Sequence, residues 1–414
     1  MDRKLIDILV VLFLVCLIVI LSFTGGYFYG IYSSGHNMAV EDGKEDTVSF
    51  DLIEEVMDIV EKNYVGSVEK EELIIGAAKG VVDSLDDPYS HYLNKDHFQS
   101  FQEETAGYFY GIGIYIGMKD VHPVVISPIE GTPAEEAGLE SGDIIIKVDG
   151  TETENTPLES VIKMIKGEEG TKVTLTIARE GEKKPFDVDI VRAKVVIPNT
   201  AKKVIEGDIG YLRLHSFTQS SGKEIQEALE ELLKDDIKGL VLDVRNNPGG
   251  LLEEAVFIAS LFIEEGTIVS VKEREGEEEI WEASRGVHGI SKVYDLPLVI
   301  LVNGGSASAS EILAGALKDY ERAVLVGEKT FGKASVQNMM PLSNKEAIIL
   351  TTAKYYTPNG TSIHEKGIEP NVEIKFEPHE TDEEEEEVEN GEDIVDIEKD
   401  NQLKKAVEIL KEQI

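Results

Sequence analysis

Three serines lie within residues 303–311, which read Asn-Gly-Gly-Ser-Ala-Ser-Ala-Ser-Glu. This run separates an apolar stretch at 298–302, predicted to be a buried strand, from an amphipathic stretch that is predicted to form a helix from about Ala309. A strand-turn-helix junction exposes a side chain near a helix N-terminus, where backbone N–H groups favour developing negative charge. The turn therefore suits a nucleophilic serine. A structural interpretation stays open, because Ser308 and Glu311 have the spacing of a capping box.

A lysine in the segment 330–337 (Thr-Phe-Gly-Lys-Ala-Ser-Val-Gln) has mostly small and apolar neighbours. Burial of Lys333 would disfavour its ammonium form and leave a neutral amine that can take a proton from a serine. Gln337, four residues later, could orient that amine. Taken alone, a lysine in a glycine-containing loop is more often a surface residue.

A Pro-Gly-Gly sequence follows the predicted strand at 240–243, within Asn247-Pro248-Gly249-Gly250. Its backbone N–H groups could stabilise an oxyanion. A plain type II turn is the alternative, since Pro-Gly is also its typical sequence.

The elements that would position these residues alternate as strand and helix from about Ile209. Strands are predicted at 210–214, 239–244 and 298–302, and helices at 222–233, 252–262 and 309–318. This order indicates an α/β domain. Before it, short β-type runs at 111–116, 124–126, 143–148 and 172–177, with helices at 134–137 and 157–165, indicate a separate small module. Two further helices are predicted at 50–60 and 69–85, followed by an irregular connector at 89–101.

The N-terminal region carries no charged residue from 8 to 35 and is apolar without interruption from 8 to 21. Such a stretch is long enough to span a bilayer as a helix. Arg3 and Lys4 precede it and Glu41 is the first charge after it, so the catalytic part is expected on the extracytoplasmic side. A cleaved signal peptide is the alternative, but no A-x-A-like site ends the run.

The chain has 414 residues and a formal charge of −40, from 40 Lys and Arg against 80 Asp and Glu. This charge would repel phosphate backbones, which argues against a nucleic-acid partner. Residues 377–400 hold 14 carboxylates and one lysine and are expected to be a solvated tail. The only cysteine, Cys16, cannot form an intrachain disulfide.

The small module resembles a PDZ domain of the kind attached to bacterial proteases, through residues 133–145 (Pro-Ala-Glu-Glu-Ala-Gly-Leu-Glu-Ser-Gly-Asp-Ile-Ile). The resemblance implies a small β-barrel with two helices that binds protein C-termini. The loop that would hold the terminal carboxylate and the adjoining strand edge comprise Gly111, Ile112, Gly113 and Ile114. The alternative is that these glycines only permit a tight turn.

Residues 50–376 resemble the carboxy-terminal processing peptidases, the tail-specific family of serine endopeptidases. The motifs that carry the resemblance are 84–90 (Ser-Leu-Asp-Asp-Pro-Tyr-Ser), the PDZ segment, 243–250, the serine turn, the lysine segment and 355–360 (Tyr-Tyr-Thr-Pro-Asn-Gly). The resemblance implies a Ser/Lys dyad with Ser308 as nucleophile, Lys333 as general base and Gln337 as supporting amide. It also implies an oxyanion hole formed by the Ala309 amide and a glycine of the Pro-Gly-Gly loop, Gly249 in preference to Gly250, an acyl-enzyme, and neither a metal nor an organic cofactor.

The predicted organisation is therefore a multi-domain α/β protein. It has a cytoplasmic end with a single transmembrane helix (1–35), a linker and helical segment (36–106), a PDZ domain (107–191), an α/β serine protease core (192–376), an acidic tail (377–400) and an amphipathic C-terminal helix (401–414). Expected partners are protein substrates with exposed C-terminal tails, the membrane, a second copy of the chain and an activating protein.

Two other functions remain to be weighed. A Ser-His-Asp hydrolase could use His215, His288 or His364 with Asp243. A membrane-tethered PDZ adaptor would bind tails without cutting them, although Ser308 and Lys333 are both present.

Overall fold

The structure is a computed structural model that describes residues 49–283, 293–377 and 397–414. The chain divides into two compact units, Met1–Ala77 and Ala78–Ile414. The predicted transmembrane helix and most of the acidic tail lie outside the described residues. Within those ranges, no helix is both long and apolar enough to cross a bilayer.

Helices α1 (Asp51–Asn63) and α2 (Lys70–Asp83) lie at the positions predicted for the N-terminal segment. In α1 the apolar side chains recur at helical spacing, yet none of its residues is buried. Leu52, Val56 and Ile59 are each about half exposed, at 51–52%. The first unit therefore presents an apolar helical face.

The segment predicted as an irregular connector at 89–101 is instead strand β1 (His91–Leu93) followed by helix α3 (Lys95–Ala106). Asn94 caps α3 by accepting a hydrogen bond from the His97 N–H (2.9 Å), and Gly107 ends it in the left-handed conformation (φ 74°). These N-cap and C-cap residues were the sequence signal for the helix. The prediction of a connector rested instead on the mixture of aromatic and polar residues in the segment.

The small module is an antiparallel sheet with strand order β3-β4-β5-β7-β8, in which β6 pairs with β5. Helices α4 (Pro133–Glu136) and α5 (Leu158–Ile165) lie near two predicted positions. A separate core with Val125, Val161 and Leu175 is fully buried. The strands of this region are β2 (Tyr108–Gly111), β3 (Ile114–Lys119), β4 (His122–Pro128), β5 (Ile144–Val148), β6 (Thr151–Glu152), β7 (Lys172–Ala178), β8 (Phe186–Val191) and β9 (Ala193–Val196). Strands β2 and β9 pair with each other where the chain enters and leaves the module.

The α/β region contains a six-stranded sheet of order β10-β11-β12-β15-β16-β19, parallel except for the β10–β11 pair. Its strands are β10 (Thr200–Ile205), β11 (Ile209–Leu214), β12 (Gly239–Asp243), β15 (Leu298–Val302), β16 (Val324–Gly327) and β19 (Val372–Glu373). Helices α6 (Ser221–Leu232), α7 (Leu252–Ser260) and α8 (Ala309–Asp319) contribute their apolar residues to the main core with this sheet. The predicted strand and helix order of this domain is confirmed.

A second sheet, which the sequence did not predict, is built around the long strand β18 (Ala347–Tyr356). It also contains β13 (Thr267–Glu273), β14 (Glu278–Glu282) and β17 (Ser335–Pro341). Strand β1 pairs with one end of β18 and β13 with the other, while β17 runs along its opposite edge. The lysine segment leads directly into β17.

The C-terminal helix α9 (Asn401–Gln413) forms as predicted and packs on the six-stranded sheet. Leu403, Val407 and Leu410 are buried there against Tyr211, Val241 and other strand residues. This helix therefore closes the sheet face opposite the main core.

Candidate active site

Three adjacent parallel strands, β12, β15 and β16, carry the predicted chemistry on the loops that follow them. The Pro-Gly-Gly loop follows β12, the serine turn follows β15, and the lysine segment follows β16. Because the carboxyl ends of parallel strands meet at one edge of a sheet, the three loops converge there.

Ser308 has a backbone conformation that distinguishes it from the two neighbouring serines. It is the N-cap of α8 with φ 54° and ψ −115°, a region that non-glycine residues rarely adopt. Such strain is typical of a nucleophile on a sharp strand-to-helix turn. Ser306 and Ser310 are fully buried, and their hydroxyls donate to the carbonyls of Val244 (2.7 Å) and Asn247 (2.9 Å).

Glu311 connects the serine turn with the lysine segment. It forms the predicted capping-box arrangement with Ser308, whose N–H donates to Glu311 Oε2 (3.1 Å). The same oxygen accepts from the Lys333 N–H (2.9 Å), while Oε1 accepts from the Gly332 N–H (2.8 Å) and the Thr330 hydroxyl (2.5 Å). Burial raises the pKa of this fully buried carboxyl group, although its four donors favour the charged form. The cap is thus also the link that fixes the two loops to each other.

Tyr355 makes a second link between the same two residues. Its hydroxyl lies within hydrogen-bonding distance of the carbonyl oxygens of Lys333 (2.5 Å) and Ser308 (3.1 Å). Burial raises the pKa of this phenol well above its ordinary value, so it stays protonated as a donor. The main chain at Lys333 is therefore held on both sides, by Glu311 and Tyr355.

The side chain of Lys333 is half-buried at the wall of a cavity. Burial lowers the pKa of its amine, against the opposing effect of the Asp87 carboxylate. Its Nζ lies 4.7 Å from the ring centroid of Tyr89, in a cation–π contact. Among the residues that the structure describes, this Nζ has no hydrogen bond or ion pair.

Gln337 does not contact Lys333 in the way expected from the sequence. Its Nε2 donates to Ser335 Oγ (2.8 Å) and to Thr351 Oγ1 (3.3 Å). The reason is the strand geometry of β17, where residues 335 and 337 share one face and Thr351 is the partner of Gln337 on β18. Its Oε1 has no partner within the described ranges.

Gly249 packs directly against the serine turn. A Cβ on it would lie 2.7 Å from the Ala307 carbonyl oxygen and 2.8 Å from the Ala309 nitrogen, and its φ is 100°. Its N–H donates to Asn247 Oδ1 (2.9 Å). The N–H of the next residue, Gly250, has no acceptor in the part of the chain that the structure describes. Ala309, as first residue of α8, has no acceptor for its N–H in the helix itself.

One cavity of about 840 Å³ brings most of these groups together. Its lining includes Ser308, Lys333, Gln337, Gly249 and Gly250, with Tyr89 and Tyr355. Apolar side chains such as Phe217, Leu252 and Trp281 form much of the remaining wall.

This geometry gives little support to the alternative of a Ser-His-Asp hydrolase. His215 and His364 are absent from the lining of the cavity, and His288 lies outside the described residues. Asp243 is fully buried and pairs with Arg245 (2.6 Å) and with the Tyr211 hydroxyl (2.8 Å). His91, which the sequence did not single out, does line the cavity.

The predicted tail-binding loop lies in the small module, apart from this cavity. Ile112 and Gly113 join β2 to β3, and β3 is an edge strand of its sheet. Gly113 has φ 83°, and a Cβ there would lie 2.4 Å from Thr132 Cβ. The Gly113 carbonyl accepts from the Thr132 hydroxyl (3.0 Å) and the Ile129 N–H (3.0 Å), which fixes the loop.

A strained serine at the wall of a cavity that a half-buried lysine also lines, near the Gly250 N–H that has no acceptor among the described residues, is typical of a serine-type hydrolase. Family models match three parts of the chain: Peptidase family S41 at 208–374, PDZ domain at 124–179, and the activating protease CtpB N-terminal domain at 27–97.

Relatives of known name agree with these matches. The chain is 40% identical over 326 residues to a carboxy-terminal-processing protease of Bartonella bacilliformis, covering 78% of this chain and 74% of that protein. It is 40% identical over 331 residues to a protein of Staphylococcus aureus named as a probable CtpA-like serine protease, covering 80% of this chain and 66% of that protein. An S41-assigned structure from Bacteroides fragilis shares the fold, with TM-score 0.52 at 16% identity over 91% of this chain and 100% of that one. The chain therefore belongs to the carboxy-terminal-processing proteases of peptidase family S41, and it is a serine-type peptidase with a PDZ domain.

Three residues of the site were not linked to Lys333 from the sequence: Tyr355 and Tyr89, which had no role, and Glu311, which had only a capping role. Each lay inside a motif that carried the family resemblance. Their spacing along the chain gives no hint that they meet Lys333, because those contacts depend on the packing of three separate loops.

Proposed function

We propose that this protein is a membrane-anchored endopeptidase that cuts protein substrates through a Ser308/Lys333 dyad and an acyl-enzyme. The neutral amine of Lys333 takes the proton from Ser308 Oγ, which attacks the carbonyl carbon of the scissile bond. The resulting ammonium donates this proton to the leaving amine, and the acyl group stays on Oγ. Lys333 then takes a proton from water, whose oxygen attacks the acyl carbon, and the ammonium returns this proton to Ser308 Oγ as the carboxylic acid product leaves.

The observation that carries the proposal is the contrast among the three serines. Ser308 alone combines a strained main chain at the start of α8 with access to the cavity that Lys333 also lines. The hydroxyls of the other two are committed to buried carbonyls.

For the oxyanion, the proposal uses the N–H of Ala309 with that of a glycine in the loop after β12. The sequence favoured Gly249, whose backbone packs on Ala309 but whose N–H is bonded to Asn247. Gly250 is the second candidate, because its N–H is unused among the described residues. The supporting role of Gln337 requires its unpartnered Oε1 to accept a hydrogen bond from the Lys333 ammonium.

The PDZ domain is proposed to hold the substrate's C-terminus. The constrained loop at Gly113 and the edge strand β3 fit a peptide that adds as an extra strand. Gly113→Ala would clash with Thr132 and is expected to weaken tail-dependent cleavage while leaving cleavage of short peptides unchanged.

Anchoring and assembly are further parts of the proposal. The apolar run at 8–21 supports a membrane anchor with the catalytic part outside the cytoplasm. The exposed apolar face of α1 supports a homodimer, and the match to a CtpB N-terminal domain agrees with an activating partner. Carbonate extraction of cell membranes tests the anchor, and light scattering of the purified soluble part tests the dimer.

The experiment follows degradation of an unfolded protein with an apolar C-terminus by the chain from residue 40 onward. Ser308→Ala and Lys333→Ala are each expected to abolish cutting, whereas His364→Ala is expected to stay active. Binding of the tail by wild type without any cleavage would favour the adaptor function instead.

A further inference from the structure

The motif at 84–90 has no part in the mechanism so far, yet its turn reaches the active site. Asp87 Oδ1 accepts from the Tyr89 N–H (3.1 Å) and Oδ2 from the Ser90 hydroxyl (2.6 Å). Ser90 Oγ accepts in turn from the Thr351 N–H (3.1 Å) on β18. These bonds, with the β1–β18 pairing, fix the turn next to the strand that neighbours the lysine segment.

The fixed turn places the Tyr89 ring at the cavity wall, where its face meets the Lys333 Nζ at 4.7 Å. The main chain of Lys333 is already held by Glu311 and Tyr355. Among the described residues, the Lys333 Nζ contacts the Tyr89 ring and is also attracted by the Asp87 carboxylate. The ring is therefore the direct contact that can fix the position of the ammonium.

We propose that Tyr89 is a positioning residue that holds the Lys333 ammonium through the face of its ring. This inference rests on the proposed role of Lys333 as general base. An aromatic face attracts an ammonium ion but has no comparable attraction for a neutral amine. The ring thus releases the amine when the amine is neutral and stabilises it again when it carries the proton taken from Ser308.

During the reaction, the Tyr89 ring therefore stabilises Lys333 only when its amine is protonated. Burial disfavours the ammonium that forms as Ser308 is deprotonated, and the ring offsets part of that penalty. Loss of the ring should lower the pKa of Lys333 further and slow the step that creates the positive charge. Other ionisable groups at this wall are Asp87, Glu311, His91 and, farther around the cavity, Glu104, Glu253, Glu273 and Glu279.

The test compares Tyr89→Leu with Tyr89→Phe in the pH dependence of kcat/KM on a short peptide. Tyr89→Leu is expected to shift the midpoint of the rise in kcat/KM to lower pH and to lower the plateau rate about 2- to 30-fold, the range of a cation–π contact of roughly 0.5 to 2 kcal/mol. Tyr89→Phe keeps the ring face and is expected to match wild type in both. Tyr92→Leu removes a neighbouring ring that lies outside the cavity lining and is expected to leave the midpoint unchanged.

A second measurement tests the inference even if only part of the Tyr89→Leu protein folds. The rate of reductive methylation of Lys333, measured by mass spectrometry in the folded fraction, is expected to rise when the ring is lost, because more of the amine is neutral and free. An unchanged midpoint and methylation rate in Tyr89→Leu, or an equal loss in Tyr89→Phe, would overturn the inference. Activity in Lys333→Ala would instead overturn the proposed dyad, so the two failures are distinguishable.

Discussion

At the scale of single residues, two buried groups fix the main chain of the proposed Ser308/Lys333 dyad. Glu311 and Tyr355 each contact both Ser308 and Lys333, and each is buried. A nucleophile and its base must keep their geometry within a fraction of an ångström, and buried hydrogen bonds are suited to that task. The capping box predicted as a purely structural alternative therefore also fixes the main chain of both residues of the proposed dyad.

Replacing Glu311 by Gln is predicted to lower kcat at least tenfold. A neutral amide offers one acceptor oxygen for four donors, so some buried N–H groups lose their partner at about 1–3 kcal/mol each. Leu317→Ala is the control, because it removes a buried side chain of the same helix, at about 2–5 kcal/mol, without touching the site. Equal kcat for Glu311→Gln and wild type, per folded molecule, would disprove the linking role.

The lowered pKa of Lys333 predicts the pH dependence of cleavage. In the proposed dyad only the neutral amine accepts the serine proton, so kcat/KM should rise with pH with a midpoint below about 10.4, the pKa of an exposed lysine. Asp87→Asn removes the negative charge that favours the ammonium and should move the midpoint to lower pH. The exposed neighbour Asp86→Asn serves as control, and a midpoint at or above that of free lysine would refute the assignment.

At the scale of elements, the sequence predicted the α/β strands and helices because the apolar residues of each element recur with one clear period and each element ends at turn residues. It missed the second sheet, since β1 and β13 pair with β18 over long sequence separations, while β17, which forms a hairpin with β18, mixes polar with apolar residues on both faces. The three catalytic motifs were recognised individually. Their relation to Glu311, Tyr355 and Tyr89 could not be predicted, because it arises from loops that meet only after strands β12, β15 and β16 align.

Gly249→Ala tests how closely the loop after β12 must approach the serine turn. The added Cβ would lie within 2.7–2.8 Å of main-chain atoms of residues 307 and 309, at a positive φ. The loop must then shift away from Ala309, so we predict a loss of at least about 100-fold in kcat, the scale of a lost oxyanion donor. Gly304→Ala, in the same serine turn but with no atom nearer than 3.9 Å, should be almost neutral. Similar kinetics for both variants would argue against a role for the loop.

At the scale of the whole molecule, the C-terminal helix is part of the catalytic domain. Arg245, two residues beyond β12, pairs with Asp243 (2.6 Å) and with Asp400 (2.7 Å) at the start of α9. Its Nη1 also donates to Gln402 Oε1 (2.9 Å). The last helix is thereby joined to the strand that leads into the Pro-Gly-Gly loop.

Asp400→Ala is predicted to destabilise the domain more than Asp400→Asn. The alanine removes both the ion pair and the N-cap, whose oxygen accepts from the N–H groups of Gln402 and Leu403, and the cap alone contributes about 1–2 kcal/mol. Asparagine keeps the cap. Urea unfolding followed by fluorescence of Trp281, the single tryptophan, measures both. Glu408→Ala, an exposed substitution on α9, is the control. Unfolding of Asp400→Ala and Asp400→Asn at the same urea concentration would contradict the account.

The central claim is that Lys333 activates Ser308, and covalent labelling with a peptide fluorophosphonate tests it most directly. Mass spectrometry of the digested protein is predicted to find the adduct on Ser308 in wild type and no adduct in Ser308→Ala. Lys333→Ala should retain its fold and label far more slowly. An adduct on Ser306 or Ser310, or an equal labelling rate without the Lys333 amine, would contradict the claim.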